Sequence, residues 1–224
     1  MTLKSIISTL GGVSWLKTVY FNFHYLPFID ALRLPIFIYR RTKLHSLSGS
    51  IKFNVPCRTG IVMIGIHGVG IIDNKYERTI WQCNGVVEFN GSARFGSGTK
   101  LSINKNAILS IGNKFCITGR STIICSKDIS FGDECLLSWD ILIMDTDFHN
   151  IYEDRNLINI PKPIRIGNHV WIGCRNMVLK GVTIPNNVIV AASSVITKHV
   201  DDSECIVGNK IIQCNLKNAV TWSI

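Results

Sequence analysis

The sequence predicts an all-β protein whose chain coils into a parallel β-helix of short strands behind a partly helical N-terminal cap. The main observation is a repeat of six, in which aliphatic residues occupy every sixth position without a miss: Ile166, Ile172, Val178, Ile184, Val190 and Ile196. A run of this kind has a chance probability on the order of one in a thousand per starting position. A period of six fits neither a helix nor a long alternating strand, but it fits short strands joined by tight corners.

The same step of six occurs upstream and extends the repeat to about residues 85–200. Its members are Phe89, Phe95, Leu101 and Ala107, then Ile111, Ile117 and Ile123, and after a slip of two residues Phe131, Leu137 and Ile143. We expect each of them to point into a narrow prism with three strands per coil. A β-sandwich is the alternative, but its strands would recur every ~8 to 12 residues and would leave the strict sixes unexplained.

Turn-forming pairs support the corners of such a prism. They are Gly112-Asn113, Gly132-Asp133, Gly167-Asn168 and Asn186-Asn187. Glycine and asparagine tolerate positive φ, so we expect the corners to adopt that conformation at these pairs.

The extent of the repeat predicts three parts of the chain. Residues 1–80 are expected to form an N-terminal cap and residues 81–204 the β-helix, which contains an inserted loop at residues 145–163. Residues 205–224 are expected to form a C-terminal tail. Parallel coils end in open edges that other segments must cover, and the terminal repeats of such folds are atypical.

The N-terminal segment has two interpretations. It is rich in aromatic residues from Trp15 to Phe28, and the cations Arg40, Arg41 and Lys43 follow. Covering the first coil is the favoured role, because an open coil end requires it. Peripheral contact with an anionic membrane, the inner membrane in particular, is the second interpretation.

The composition indicates a cytoplasmic globular protein. With 224 residues, 46% of them hydrophobic, the chain is long enough for a substantial core. The formal charge of +9 indicates an anionic partner, but Lys and Arg are dispersed without a nucleic-acid-binding motif. The eight cysteines form no C-x-x-C pair and are expected to be reduced thiols. Neither a signal peptide nor a membrane span is expected, since Asp30, Arg33 and Pro35 interrupt the most apolar stretch.

The inserted loop at 145–163 contains the candidate catalytic residue. A departure from a repetitive wall often carries function, and this one holds His149 close to Asp145 and Asp147. A neutral histidine accepts a proton near pH 7, and a nearby carboxylate fixes its tautomer and raises its basicity. His149 is therefore the predicted general base, with either aspartate as its orienting partner; a loop histidine without catalytic function is the alternative.

A metal site is not expected, because no two of the six histidines lie within five residues of each other. A cysteine nucleophile is not expected either, since no thiol has a base beside it in the sequence. Trp171 is too large to point into a regular coil and is expected to face outward, either into a groove or an interface or simply as cover for the surface. Lys198 closes the last perfect repeat with a cation that suits a phosphate, or simply solvent.

These residues resemble those of the hexapeptide-repeat acyltransferases, and more closely the galactoside, maltose and xenobiotic O-acetyltransferase type found with surface-polysaccharide genes. Three stretches, covering about half the chain with the repeats between them, carry the resemblance: residues 145–149, residues 166–173, and residues 181–198. Ala191-Ala192-Ser193 departs from the common Gly-Ala-Gly, and Gly208-Asn209-Lys210 from the common Gly-x-Pro-Ala ending.

The resemblance implies a left-handed β-helix that assembles as a homotrimer, with active sites in the grooves between neighbouring prisms. It implies acetyl-CoA as the acyl donor and a sugar or glycan hydroxyl as the acceptor. The family histidine corresponds to His149, which would deprotonate that hydroxyl for direct attack on the thioester. The cofactor contacts implied by the resemblance are Trp171, Cys174, Ala192, Thr197 and Lys198.

The leading hypothesis is O-acetylation of a sugar, glycan or polysaccharide precursor. N-acetylation of an amino-sugar nucleotide is the alternative within enzymes, while a serine acetyltransferase would have a long N-terminal helical domain. From another class, a non-catalytic or metal-binding β-helix such as a γ-type carbonic anhydrase requires clustered histidines that the sequence lacks.

Overall fold

The computed structural model describes residues 10–67, 69–73 and 75–209, and the backbone of residues 211–213. Two helices come first, α1 (Trp15–Tyr25) and α2 (Phe28–Leu32). Strands β1 to β14 are Ile36–Ile38, Thr42–Ser46, Ser50–Phe53, Val62–Ile66, Thr79–Cys83, Val86–Phe89, Ala93–Gly96, Lys100–Ile103, Ile108–Ile111, Phe115–Gly119, Thr122–Cys125, Asp128–Phe131, Leu136–Trp139 and Leu142–Met144. Strands β15 to β24 are Tyr152–Glu153, Asn156–Leu157, Ile164–Ile166, Trp171–Ile172, Met177–Leu179, Thr183–Ile184, Ile189–Val190, Val195–Ile196, Ile206–Val207 and Ile211–Gln213.

The strands form three parallel sheets that are the three faces of a prism. The first face has the order β1-β4-β7-β10-β13-β18-β21-β23-β24, in which only the last pair is antiparallel. The second face is β2-β5-β8-β11-β14-β19-β22, and the third is β20-β17-β12-β9-β6-β3. Consecutive strands of the wall therefore lie on successive faces, and the predicted left-handed parallel β-helix is confirmed.

The core of the prism is built from the predicted inward residues. All sixteen aliphatic, aromatic and alanine positions of the repeat are buried, and none is more than 5% exposed. The strict spacing holds where coils are shortest: Trp171 pairs with Ile189, eighteen positions later. Upstream coils are longer, as in the pairing of Cys116 with Leu136 twenty positions later, which explains the slip in the repeat.

The corner between the third and first faces, here the third corner, uses its Gly-Asn pairs differently from the expectation. At the three pairs that begin with glycine, positive φ occurs at the residue after the pair, as at Glu134 (57°) and His169 (53°), whereas at Asn186-Asn187 it occurs within the pair, at Asn187 (57°). Glycine is needed for close approach, because a Cβ on Gly132 would lie 2.4 Å from Asn168 Oδ1 of the next coil. That same oxygen accepts the backbone N–H of Asp133 at 2.8 Å, so side chains bond adjacent coils at this corner.

The β-helix begins earlier than the expected boundary at residue 81. β1 pairs in parallel with β4, joining Ile36 to Val62 across 26 positions, so residues 36–80 are coils and the helical cap is confined to residues before 36. The reason is that insertions at the corners destroy the step of six in these first coils. The C-terminal segment expected at 205–224 lies mostly outside the described residues, and its described beginning continues the first face as β23.

The cap covers the open edge of β1 with two buried polar side chains of α1. Asn22 donates to Ile36 O at 2.7 Å and accepts from Ile36 N–H at 3.1 Å, and Thr18 Oγ1 accepts from Ile38 N–H at 3.0 Å. These bonds replace a missing neighbouring strand. Among the described residues, no helix has the length and hydropathy that crossing a membrane requires.

Candidate active site

The inserted loop leaves the prism at the corner between the second and third faces, here the second corner. Its two ends meet, because Lys162 N–H donates to Asp145 O at 3.0 Å. The residues between them, 146–161, are here called the arm. The arm contains the antiparallel pair β15 and β16, whose turn residues Asp154 and Arg155 both have positive φ, as two-residue hairpin loops require.

Asp145 anchors the base of the arm. It is fully buried, and its carboxylate accepts three backbone N–H groups of the preceding coil, from Ser126 at 2.7 Å and from Lys127 and Asp128 at 2.8 Å. Its oxygens are therefore directed into the wall. Asp145 satisfies the donors of a corner, and within the described residues no hydrogen bond links it to His149.

The turn that carries His149 is strained. His149 N–H donates to Asp147 O at 2.7 Å, and the residue between them, Phe148, has a φ of 63°. A three-residue turn with positive φ at its centre is rare, and a bulky residue adopts this conformation only where the surroundings impose it. Strain of this type concentrates at functional sites, so the turn supports the choice of His149.

Two residues that the sequence analysis did not select hold this turn in place. Asn159 Nδ2 donates to His149 O at 2.7 Å and to Asp147 Oδ2 at 3.1 Å, while its Oδ1 accepts the N–H of Ile151 at 2.7 Å. Lys180, from the coil above, forms an ion pair with Asp147 and donates to Asn159 O at 3.1 Å. The hydrogen bond from Lys180, with that from Asn159 beside it, holds the pKa of Asp147 below its usual value.

The imidazole of His149 is exposed, and no carboxylate of the described residues is hydrogen-bonded to it. The two aspartates expected to orient it instead bond to the backbone and to Lys180. The structure therefore fixes the backbone of His149 on both sides and leaves its ring nitrogens open to a substrate.

A groove of about 500 Å³ runs along the second corner beside the arm. Its lining includes Lys162, Lys180, Thr197, Lys198 and His199, so it collects three lysines and two of the predicted cofactor contacts. Because Lys180 also bonds to Asp147, this groove begins next to the turn that carries His149. Cationic side chains spaced along a groove suit a ligand with several phosphates.

The other three predicted cofactor contacts lie elsewhere on the prism. Trp171 is on the first face, half-buried and outward as expected, with its Nε1 donating to Ser138 Oγ at 3.2 Å. Cys174 and Ala192 lie at the corner between the first and second faces, here the first corner, where Ser193 N–H donates to Cys174 O at 2.9 Å. Within one chain, these three residues therefore lie on a different part of the prism from His149, Thr197 and Lys198.

Two of the buried thiols are poorly suited to nucleophilic chemistry. Burial raises the pKa of Cys83 to about 11 and that of Cys135 to about 12, so these thiols are poor nucleophiles. The cysteines of that part are free thiols, and Cys214 lies outside it. No group of three or more potential ligands for a metal ion occurs in the same part.

Comparisons with known proteins agree with the repeat. Residues 163–198 match the model of the bacterial transferase hexapeptide (six repeats). The chain is similar to the polysialic acid O-acetyltransferase of Neisseria meningitidis, with 38% identity over 38% of this chain and 40% of that protein. It is also similar to the galactoside O-acetyltransferase of Escherichia coli (strain K12), with 30% identity over 40% of this chain and 45% of that protein. The matches thus span less than half the length of these relatives.

A solved structure supports the fold. The chain is similar to the polySia specific acetyltransferase NeuO with a TM-score of 0.52, 22% identity, and coverage of 85% of this chain and 79% of that one.

Proposed function

We propose, from the match of residues 163–198 to the bacterial transferase hexapeptide, that this protein transfers an acetyl group from acetyl-CoA to a hydroxyl of a sugar, glycan or polysaccharide precursor. The names of its relatives, which act on polysialic acid and galactosides, support an acceptor of this class. The observation that carries the proposal is Lys180, which lines the cationic groove with Thr197 and Lys198 and also pairs with Asp147, two residues from His149.

His149 acts as the general base. Its ring takes the proton of the acceptor hydroxyl, whose oxygen forms a bond to the thioester carbonyl carbon while the bond from that carbon to sulfur breaks. The proton then passes to the departing CoA thiolate, so transfer is direct and needs no acyl-enzyme. Base assistance is worth roughly 10²- to 10⁴-fold.

The two aspartates act on the position of His149. Asp145 fixes the point where the arm leaves the wall, and Asp147 receives Lys180 and Asn159 and thereby holds the turn. Neither aspartate touches the reacting atoms in this assignment. Acetyl-CoA phosphates bind the lysines of the groove, including Lys198, and Thr197 lies beside them.

The enzyme is a homotrimer whose active sites lie between subunits. Three predicted cofactor contacts lie away from His149 in their own chain: Trp171, Cys174 and Ala192. In the trimer they line the groove of the neighbouring prism instead. The arm carries exposed apolar side chains suited to contact a neighbouring subunit: Phe148, Ile151, Tyr152, Leu157, Ile158 and Ile160. Free thiols in the described residues support a cytoplasmic location.

Acceptor-dependent release of CoA tests the proposal. The wild-type protein should release CoA with at least one member of a panel of sugars and sialylated glycans, and His149→Ala should lower kcat by roughly 10²- to 10⁴-fold. The matched control is His45→Ala, since His45 is an exposed histidine on β2, remote from the second-corner groove.

Calorimetric titration with acetyl-CoA separates the two parts of the proposal. Binding together with equal activity of both variants would remove His149 from the mechanism. An absence of acetyl-CoA binding to the folded wild-type protein would contradict the transferase assignment itself.

A further inference from the structure

The outer surface of the helical cap contributes little to covering the first coil, and its one ring contact there among the described residues is that of Trp15 with Phe37 of β1, with centroids 5.7 Å apart. The inner face of α1 covers the first coil with the buried residues Thr18, Phe21 and Asn22. The outer surface nevertheless carries large apolar side chains, each between 41% and 88% exposed: Trp15, Leu16, Val19, Tyr20 and Phe23 of α1 with Phe28, Ile29 and Leu32 of α2. These eight residues are here called the apolar cap surface.

The apolar cap surface is continuous. On α1 its members follow the spacing i, i+1, i+4, i+5 and i+8, which places them on one side of the helix. The rings of Phe23 and Phe28 meet edge to face with their centroids 5.7 Å apart, which joins α1 to α2. A solvent-exposed patch of this extent normally marks a contact with a protein or a membrane.

A cluster of cations lies along one flank of this surface. Lys17, on α1, lines a groove of about 530 Å³ together with Arg40, Arg41, Lys43 and Arg78. Its ammonium group donates to Arg40 O at 3.0 Å and Thr42 O at 2.8 Å, which ties the helix to the groove. No carboxylate within the described ranges forms an ion pair with any of these five cations.

The excess of positive over negative charge is concentrated in the N-terminal part of the sequence, because acidic residues are scarce there. The first 72 residues contain eight Lys and Arg residues against one acidic residue, Asp30, whereas the other 152 contain sixteen against fourteen. Asp30 is itself paired with Arg33 at 3.0 Å. Two copies of so cationic a surface repel each other, which disfavours self-association, while a sheet of lipid phosphates attracts it.

We propose that the cap docks on an anionic membrane. The apolar cap surface enters the boundary between headgroups and acyl chains, and the five cations of the neighbouring groove contact lipid phosphates. This docking is a peripheral membrane contact with a defined surface and chemistry. It does not depend on the proposed acetyl transfer.

Flotation of the full chain with lipid vesicles tests the docking. The protein should float with vesicles of equal parts phosphatidylcholine and phosphatidylglycerol, and not with phosphatidylcholine alone, and added salt should weaken binding. Replacing three cations in R40Q/R41Q/K43Q should lower the partition coefficient roughly 100-fold. The matched control is K100Q/K105Q/K127Q, which removes the same charge from exposed positions further along the prism.

The apolar contribution is tested by L16S/F28S/I29S, whose changed residues are all at least 67% exposed. This variant should also lose vesicle binding, with an unchanged thermal unfolding midpoint. Equal loss of binding in both charge variants would overturn the specific cationic site. Absence of wild-type binding to anionic vesicles would overturn the docking, and if the serine variant then dissociated a larger oligomer in sedimentation, the surface would belong to a second copy.

Discussion

At the scale of single residues, the position of His149 depends on side chains that come from outside its own turn. Asn159 forms three hydrogen bonds across the arm, and Lys180 from the coil above forms an ion pair with Asp147. A γ-turn with positive φ at Phe148 does not persist alone in solution, so these contacts supply the energy that keeps it formed.

Asn159→Ala is expected to lower kcat by roughly 10- to 100-fold, because a base displaced by about an ångström loses its alignment with the acceptor. The KM for acetyl-CoA should change little, since the lysines of the groove remain. Steady-state kinetics with the best acceptor measure both. The control is Asn156→Ala in β16 of the same arm, which should retain wild-type kcat. Equal kcat for Asn159→Ala and the wild type would contradict a positioning role.

At the scale of elements, Asp145 shows how an inserted loop is attached without weakening the wall. It follows β14 directly, and its buried carboxylate satisfies three N–H donors of the corner one coil below. The chain resumes the wall at Lys162, whose N–H bonds to Asp145 O. The arm therefore departs from a point that is fixed on both sides.

Asp145→Asn is expected to reduce the free energy of unfolding by about 3 kcal/mol. The substitution replaces one of the two accepting carboxylate oxygens by an NH₂ group, which is a donor and would face buried N–H donors. Urea unfolding at fixed protein concentration, followed by circular dichroism, measures the change. Asp154→Asn makes the same substitution in the exposed turn of the arm and should shift stability by less than about 0.5 kcal/mol. A matching small shift for Asp145→Asn would show that its three bonds contribute little.

The first coils are the elements of the β-helix that the sequence does not predict. Residues 36–80 lack the step of six because their coils contain insertions, so the sequence predicts a cap where the structure has parallel strands. The wider coils also admit residues that a regular coil rejects. Trp81 points into the prism, fully buried, and donates its Nε1–H to the hydroxyl of Tyr25 in the cap at 3.1 Å.

At the scale of the whole molecule, the residues of the proposed site fall into two groups on a single prism. His149, Lys180 and Lys198 share the second corner, while Trp171 and Cys174 lie on the first face and the first corner. Because the wall keeps these groups apart, the proposed site would be completed only by a neighbouring subunit.

Subunit complementation checks this arrangement. His149→Ala and Trp171→Ala proteins should each be impaired, whereas mixed trimers from co-expression should regain acceptor-dependent CoA release, because some interfaces then pair an intact His149 with an intact Trp171. Separately purified variants, mixed without subunit exchange, serve as the control. No recovery in trimers shown by sedimentation to contain both variants would place the complete site within one chain.

The sequence by itself determined the β-helix, its inward residues and the position of the inserted loop, because each depends on a local period or on its interruption. It also identified His149 as the residue to test. Only the tertiary structure decided what surrounds that residue. Asn159 and Lys180 lie 10 and 31 positions beyond His149, and Asp145 bonds to a corner 17 to 19 positions before it. Contacts between stacked coils join residues a full turn of the prism apart, and the insertions that set the length of each turn leave no periodic signal in the chain.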